Sequence, residues 1–219
     1  MNQQPAASRR VLDPSERISE VLFGLIMVLT FTGSLSVAEA GREDVRTMLV
    51  GALGCNLAWG VIDAVFYLMG SLAEKGRGLA IFRAVRAAAG PEQARRRIAD
   101  ALPSVLASVI EPSELDAVHR RLQQLPEPPG HARLDGSDWQ GAAGVALLVF
   151  LSTLPVAVPF IVMEDAMRAM RVSNGIAVAM LFVAGAAYGR VVGRSAWLLG
   201  IAMVALGSVL VALTIALGG

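Results

Sequence analysis

Long apolar stretches alternate with polar segments along this chain. A helix that crosses the hydrocarbon core of a bilayer needs about 20 mostly apolar residues. Five stretches meet this requirement, at residues 21–38, 47–73, 141–162, 172–189 and 195–219. The pattern therefore predicts an all-α membrane protein with five transmembrane helices, numbered here by these stretches.

The longest polar segment lies between the second and third stretches and has a helical pattern of its own. Residues 77–90 predict a helix that stops at Gly90-Pro91, and two further helices are expected to begin at Pro91 and Pro112. Residues 125–138 are rich in Pro and Gly and predict a linker. The expected organisation is a tail at 1–17, transmembrane helices 1 and 2 at 18–73, a cytosolic helical insert at 74–138 and transmembrane helices 3 to 5 at 139–219.

The placement of basic residues predicts the orientation. Five crossings put the two termini on opposite sides of the membrane. The side that holds the N-terminus and the insert then receives 15 of the 19 Lys and Arg residues. Because basic loops stay in the cytosol, we expect the N-terminus and insert to be cytosolic and the C-terminus to be outside.

Composition supports a membrane protein and excludes several functional classes. The chain is 55% hydrophobic, with a mean hydropathy of +0.58. A net charge of +1 gives no field that would recruit nucleic acid. A single cysteine, Cys55, excludes an internal disulfide and a cysteine-rich metal site. Since there is also no catalytic triad, nucleotide loop or zinc motif, we expect no enzyme activity and no tightly bound cofactor.

The second stretch contains an acid, Asp63, far from either end. Asn56, Asp63 and Tyr67 share one helix face, because they are spaced by seven and four residues. Their oxygen atoms suit a hard or borderline cation. An ionisable residue inside a membrane helix is a functional-site hypothesis, so Asn56 and Asp63 are predicted metal ligands, with Tyr67 a weaker candidate.

The alternative for Asp63 is a packing role, in which the acid is protonated or bonded to a neighbouring helix. Such bonds contribute only about 0.6 to 2 kcal/mol. A charged residue at the centre of a membrane helix costs about 3 kcal/mol. The comparison favours ion binding and leaves the packing role open.

The first stretch has a related stripe. Glu20, Met27 and Ser34 recur every seven residues, with Phe31 on the same face. Glu20 would recruit a cation at the cytosolic mouth, and Met27 would lie about 10 Å deeper. The alternatives are that Glu20 belongs to a polar helix start and that Met27 fills the core.

The third stretch and its end supply weaker candidates. Pro155 and Pro159 interrupt the backbone on one face, which is typical either of an element that lines a cavity or of a static kink. Glu164 and Asp165 follow in MEDAMRAM, which suits either a metal or, as we favour, an amphipathic interfacial turn.

Two further patterns favour structural roles. In the insert, Glu111, Glu114, Asp116 and His119 predict an acidic helix start rather than a metal site. In the fourth stretch, glycines recur every four residues at Gly185, Gly189 and Gly193, which predicts close helix packing.

This layout resembles the vacuolar iron transporter (VIT) family. The local matches are ISEVLFGLIMVLTFTGSLS in the first stretch, LPVAVPF in the third, and the glycine-rich YGRVVGRSAWLLG that leads into the fifth. Members of that family are typically homodimers that exchange divalent iron or manganese for protons. Their pathway lies between the first helices of the two subunits. The resemblance implies the same assembly and substrate class for this chain.

The chain departs from the family pattern in two places. Met27 and Val28 occupy the positions where the family commonly has Asp followed by Gly. The insert is net basic, with ten basic and seven acidic residues at 75–137, whereas members with a metal-binding cytosolic domain carry many glutamates there. Either Asp63 replaces the missing acid from the second helix, or this branch has lost transport.

The expected function is export of a divalent metal ion, Fe²⁺ or Mn²⁺, from the cytosol across a bacterial inner membrane, with proton exchange. Glu20, Met27, Asn56 and Asp63 would handle the ion, and Asp63 could take the counter-proton. The alternative is a non-transporting membrane scaffold or regulator that acts through its insert.

Overall fold

The computed structural model describes residues 12, 14–33 and 42–216. These residues form eight α-helices and no strand. The helices are α1 (Pro14–Gly33), α2 (Arg42–Arg86), α3 (Pro91–Asp100), α4 (Ser104–Val109), α5 (Pro112–Gln124), α6 (Gly136–Val162), α7 (Ala166–Val191) and α8 (Ala196–Ala216). Most of the predicted tail, Ser34, the end of the first stretch and residues 217–219 lie outside the described residues.

Within the described part of the chain, four helices are long and apolar enough to cross a membrane. The spanning segments are Val45–Arg86, Gly136–Val162, Ala166–Val191 and Ala196–Leu213. They contain the second to fourth apolar stretches and most of the fifth, which confirms an all-α membrane architecture. The fifth crossing, by α1, stays a prediction.

The chain divides into two compact units, and the boundary falls within α2. One unit comprises Met1–Tyr67 and Gly136–Gly219, and the other comprises Leu68–Asp135. The helix predicted at 77–90 is the last part of α2 and ends at Arg86. Each of Gly76 and Gly78 costs a helix only about 1 kcal/mol relative to alanine, and α2 continues through both of them.

Helix α1 occupies the centre of the first unit, where it contacts α6, α7 and α8. Leu12 lies beside Gly144 and Gly24 lies beside Val149, so α1 and α6 run in the same direction. We call the end of the bundle where α1, α6 and α8 begin the basal end. The end where α6 stops and α7 begins is the apical end.

The core of this unit is built on one face of α1. Leu25, Val28 and Leu29 are at most 5% exposed, and they pack with Ala52 of α2 and Leu181 of α7. Between membrane helices, dispersion contacts rather than water exclusion supply the attraction, so close fit decides stability.

The glycine spacing in α7 is confirmed as a packing device at two of its three positions. A Cβ on Gly185 would lie 2.6 Å from the Leu199 carbonyl oxygen, and one on Gly189 would lie 3.0 Å from the Cα of Ala196. Gly193 instead ends the helix with φ = 70°. The Arg194 N–H bonds the Gly189 carbonyl at 2.8 Å in a Schellman turn.

Pro155 and Pro159 both lie within α6, which continues through them to Val162. Each proline removes one backbone donor. Hydroxyl groups supply hydrogen bonds in this region. Thr153 donates to the Phe150 carbonyl at 2.7 Å, and buried Ser173 of α7 donates across the interface to the Val156 carbonyl at 2.7 Å. The Ser173 bond ties α7 to the proline-containing segment.

The second unit has a small core of its own, formed by Val85, Ala94, Ile98 and Leu115. Pro103 divides the predicted second helix of the insert into α3 and α4. The predicted start of α5 at Pro112 is confirmed.

Glu111 and Glu114 form a capping box, as expected of an acidic helix start. In the same unit, the Arg86 guanidinium donates to the Leu125 carbonyl at 2.9 Å. This bond fixes the proline-rich segment against the end of α2.

Exchanging Gly185 for alanine is expected to lower the free energy of unfolding by about 1 to 3 kcal/mol, because the added methyl group meets the backbone of α8. Gly175→Ala on the same helix is the matched control, since a Cβ there meets nothing within 4 Å. Alanine favours a helix over glycine by about 1 kcal/mol, so the control should be neutral or stabilising. Thermal unfolding in detergent measures both, and equal effects would contradict the close packing of α7 on α8.

Candidate metal-ion site between α1 and α2

Three helices meet at Gly24 of α1. A Cβ there would lie 2.6 Å from the Val149 carbonyl of α6 and would collide with Ser152. The absence of a side chain also leaves the Gly24 carbonyl oxygen accessible to α2, and the Asn56 amide donates to it at 3.4 Å. This glycine therefore fixes the position of Asn56.

Asn56 is fully buried, and only one side of its amide is satisfied. Its side chain has 0% exposure, and its Oδ1 has no hydrogen-bond partner within the described residues. A buried acceptor without a partner costs about 1 to 3 kcal/mol. Such a cost is tolerated where the oxygen has another role, and Oδ1 is a suitable ligand for a hard cation.

Asp63 presents a second oxygen of this kind. Its Oδ2 is buried and has no hydrogen-bond partner in the described structure. The carboxylate interacts electrostatically with Glu20 of α1, which also interacts with Glu16 one turn away. Two carboxylates within electrostatic range of each other repel, and a divalent cation bound between them would remove that repulsion.

The two helices run antiparallel, which pairs the four predicted ligands. Phe23 of α1 contacts Trp59 of α2 edge to face, with ring centroids 5.6 Å apart. On α1, Glu20 lies towards the basal end from Phe23 and Met27 lies towards the apical end. On α2 the order is reversed, with Asp63 basal and Asn56 apical. Each helix therefore contributes one candidate ligand to a basal level and one to an apical level.

The ligands of the basal level and those of the apical level are too far apart to bind the same ion. Seven residues of a helix rise about 10 Å, which separates Asn56 from Asp63 and Glu20 from Met27. Metal–oxygen bonds are about 2.0 to 2.6 Å long, so two ligands of one ion lie within about 5 Å. The arrangement fits two successive positions along the α1–α2 interface, Glu20 with Asp63 and Met27 with Asn56.

Among the described residues, no three His, Cys, Asp or Glu side chains form a metal-binding group. The basal level supplies the carboxylates of Glu20 and Asp63, and Glu16 adds negative charge near Glu20. A divalent ion there would complete its shell with water, amide or carbonyl oxygens, or ligands from another chain.

Tyr67 continues the α2 face towards the basal end. Its ring lies directly against Gly141 of α6, where no larger residue would fit. Asp138 lies one turn before Gly141 and is only 5% exposed. Sequence reasoning assigned Asp138 to the end of a linker and missed it as a buried acid. Its position in the first turn of α6, where the helix dipole favours a carboxylate, is the one local signal at this residue, and that signal does not indicate burial.

The weaker candidates Glu164 and Asp165 lie at the apical end, in the turn between α6 and α7. Asp165 caps α7, because its Oδ1 accepts from the Met167 and Arg168 N–H groups at 3.0 and 3.1 Å. The Arg168 guanidinium is 3.4 Å from the other carboxylate oxygen. These contacts occupy Asp165 structurally and support the interpretation of MEDAMRAM as a turn.

The chain matches one protein-family model, described as the VIT family, over residues 87–219. The match covers more than half of the chain and includes α3 to α8. It begins directly after α2, so α1 and α2, which hold Glu20, Met27, Asn56 and Asp63, lie outside it. A comparison with curated proteins finds no match.

The stability of variants separates ion binding from a packing role for Asp63. Asp63→Leu is expected to leave the thermal unfolding temperature unchanged or raised, because it removes a buried oxygen that has no partner. Ser173→Ala is the comparison, since it deletes a bond between helices and should cost about 0.6 to 2 kcal/mol. A loss at Asp63 as large as that at Ser173 would support the packing role.

Proposed function

The chain belongs to the VIT family, and on that footing we propose that it exports a divalent metal ion, Fe²⁺ or Mn²⁺, by way of the α1–α2 interface. Members of this family are membrane metal-ion transporters rather than enzymes. The proposal rests on one observation above all: two carboxylates, Glu20 of α1 and Asp63 of α2, lie within electrostatic range of each other on neighbouring apolar helices.

The ligand types support a first-row divalent metal. Carboxylate and amide oxygens suit hard ions, whereas the thioether of Met27 is soft. Fe²⁺ and Mn²⁺ accept oxygen ligands, and a weak thioether contact would let the ion leave the apical level. An ion that moved from Glu20 and Asp63 to Asn56 and Met27 would advance by about 10 Å.

Proton exchange follows from the same acids. When the ion leaves the basal level, the two carboxylates are again within electrostatic range of each other without a cation, and a proton is the simplest replacement charge. In the proposed cycle Asp63 takes that proton. Carriage of the proton back towards the cytosol would couple metal export to the proton gradient.

We propose a homodimer, because each level offers only two ligands from one chain and a second copy could supply more. Apart from its Asn56 side, α2 presents a broad apolar face with large exposed side chains, among them Leu57 at 56%, Phe66 at 59% and Met69 at 60%. This face suits either lipid or a second copy of the chain. Pairing of two copies through α1 and α2 would bring a second set of oxygens to the path.

In the proposal, the protein lies in the inner membrane of a bacterial cell, and the basal end faces the cytosol. Arg17, Arg190 and Arg194 lie at that end. The sequence pattern predicts the same side of the membrane for the net basic insert. Glu20 and Asp63 then form the level nearer the cytosol, from which an exporter must load its ion.

Transport by purified protein in proteoliposomes tests the proposal. Asp63→Asn is expected to reduce Fe²⁺ or Mn²⁺ uptake by about tenfold or more, since the ion loses a charged ligand and each 1.36 kcal/mol lost from a transition state lowers a rate about tenfold. Glu20→Gln should act in the same direction, and a pH-sensitive dye should report the loss of coupled proton flow.

Matched controls in the insert are Asp100→Asn and Glu92→Gln, which make the same chemical changes at exposed positions. Both should transport at the wild-type rate. If folded Asp63→Asn protein also transports at that rate, the proposed path is wrong. If the wild-type protein neither binds nor moves either metal, the scaffold alternative is favoured.

A further inference from the structure

A second feature of the membrane unit lies on its outer surface, away from the α1–α2 interface. A groove of about 390 Å³ runs between α1, α6 and α7. Its walls are aliphatic side chains, which include Ile18, Val21, Leu148, Met180, Val183 and Ala187. Arg17 is the one charged residue of the lining. The groove is thus apolar along its length and cationic at one end.

The charged end of the groove is at the basal end of the bundle. Arg17 is in the first turn of α1, and Ala187 is near the end of α7. Arg190 follows Ala187 by three residues, which puts it one turn further along the same side of α7. Both arginines are exposed, and no hydrogen bond or ion pair is found for either among the described residues. Two arginines without an ion-pair partner among the described residues therefore lie at this end of the groove.

Two tryptophans mark the depth of this mouth in the membrane. Trp139 and Trp197 are 60% and 70% exposed, in the first turns of α6 and α8. Exposed tryptophans are enriched at the level of lipid headgroups. Arg17 and Arg190 belong to the same end of the bundle, and their long side chains can extend to this headgroup level, while the groove continues into the acyl-chain region.

We propose that this groove binds an anionic phospholipid, with its phosphate between Arg17 and Arg190 and one acyl chain along α7. Charge complementarity selects the occupant. A neutral lipid would leave both arginines without counter-charge, whereas an anionic headgroup neutralises them and accepts their hydrogen bonds. A free phosphate ion would leave the apolar part of the groove unfilled. The bound lipid would hold α1, the helix that carries Glu20, against α7.

Native mass spectrometry of the full chain in detergent tests this proposal. Phosphatidylglycerol and phosphatidylcholine with identical acyl chains are added together, and the ratio of bound lipids is measured. Wild-type protein is expected to prefer phosphatidylglycerol. Each arginine near a membrane surface contributes about fivefold to such a preference, so Arg17→Gln should lower it about fivefold and the Arg17→Gln, Arg190→Gln double variant about thirtyfold.

Matched variants separate a built site from general surface charge. Arg46→Gln with Arg171→Gln removes two exposed arginines at the apical end and should leave the preference unchanged. Ala179→Leu fills the groove and should reduce binding of both lipids, while Ala143→Leu, an exposed position outside the groove, should not.

Three results would overturn the proposal. One is equal binding of the two lipids by wild-type protein. Another is an equal loss of preference in the basal and apical double variants. The third is full lipid binding by Ala179→Leu. None of these variants removes a proposed metal ligand, so failure here would leave the transport proposal standing.

Discussion

The fit of α1 into the bundle depends on how closely two backbones approach at Gly24. Membrane helices gain little from exclusion of water, so their association relies on small residues that permit dispersion contacts and short polar bonds. Gly24 provides both, since α6 packs against its missing side chain and α2 bonds its carbonyl oxygen through Asn56. A side chain at this point would push α6 away and cover that oxygen. The neighbouring contacts follow from the same approach: Phe23 meets Trp59, and Glu20 comes within electrostatic range of Asp63.

Much of this architecture could be predicted from hydrophobic pattern alone. Apolar length identified the spanning helices α2, α6, α7 and α8, because a membrane imposes one required length on every crossing. Proline position identified the start of α5. The pattern could not show that α2 continues to Arg86, since residues 74–86 carry polar residues compatible with either a break or a solvated helix.

The sequence identified the residues of the candidate site, but it did not show how these residues are arranged across the two helices. Periodicity places Asn56 and Asp63 on one face of α2, and Glu20 and Met27 on one face of α1. Which residue of α1 stands opposite which residue of α2 depends on the register of two helices, and that register is set by Gly24, whose importance no local pattern reveals. Asp138 escaped notice for a related reason. Its burial comes from packing within the folded bundle, and its sequence neighbours are those of a linker.

The Schellman turn at Gly193 bears on how the protein enters the membrane. Arg190 and Arg194 stand on either side of this turn, and each arginine costs roughly 2.5 to 3.5 kcal/mol at the centre of a bilayer. The turn therefore remains on the side where it is made, while the apolar helices before and after it can cross. Gly185 and Gly189 let those helices pack on each other as soon as both exist. The last two crossings thus form a closely packed helical hairpin, and the two arginines of its turn are not moved through lipid.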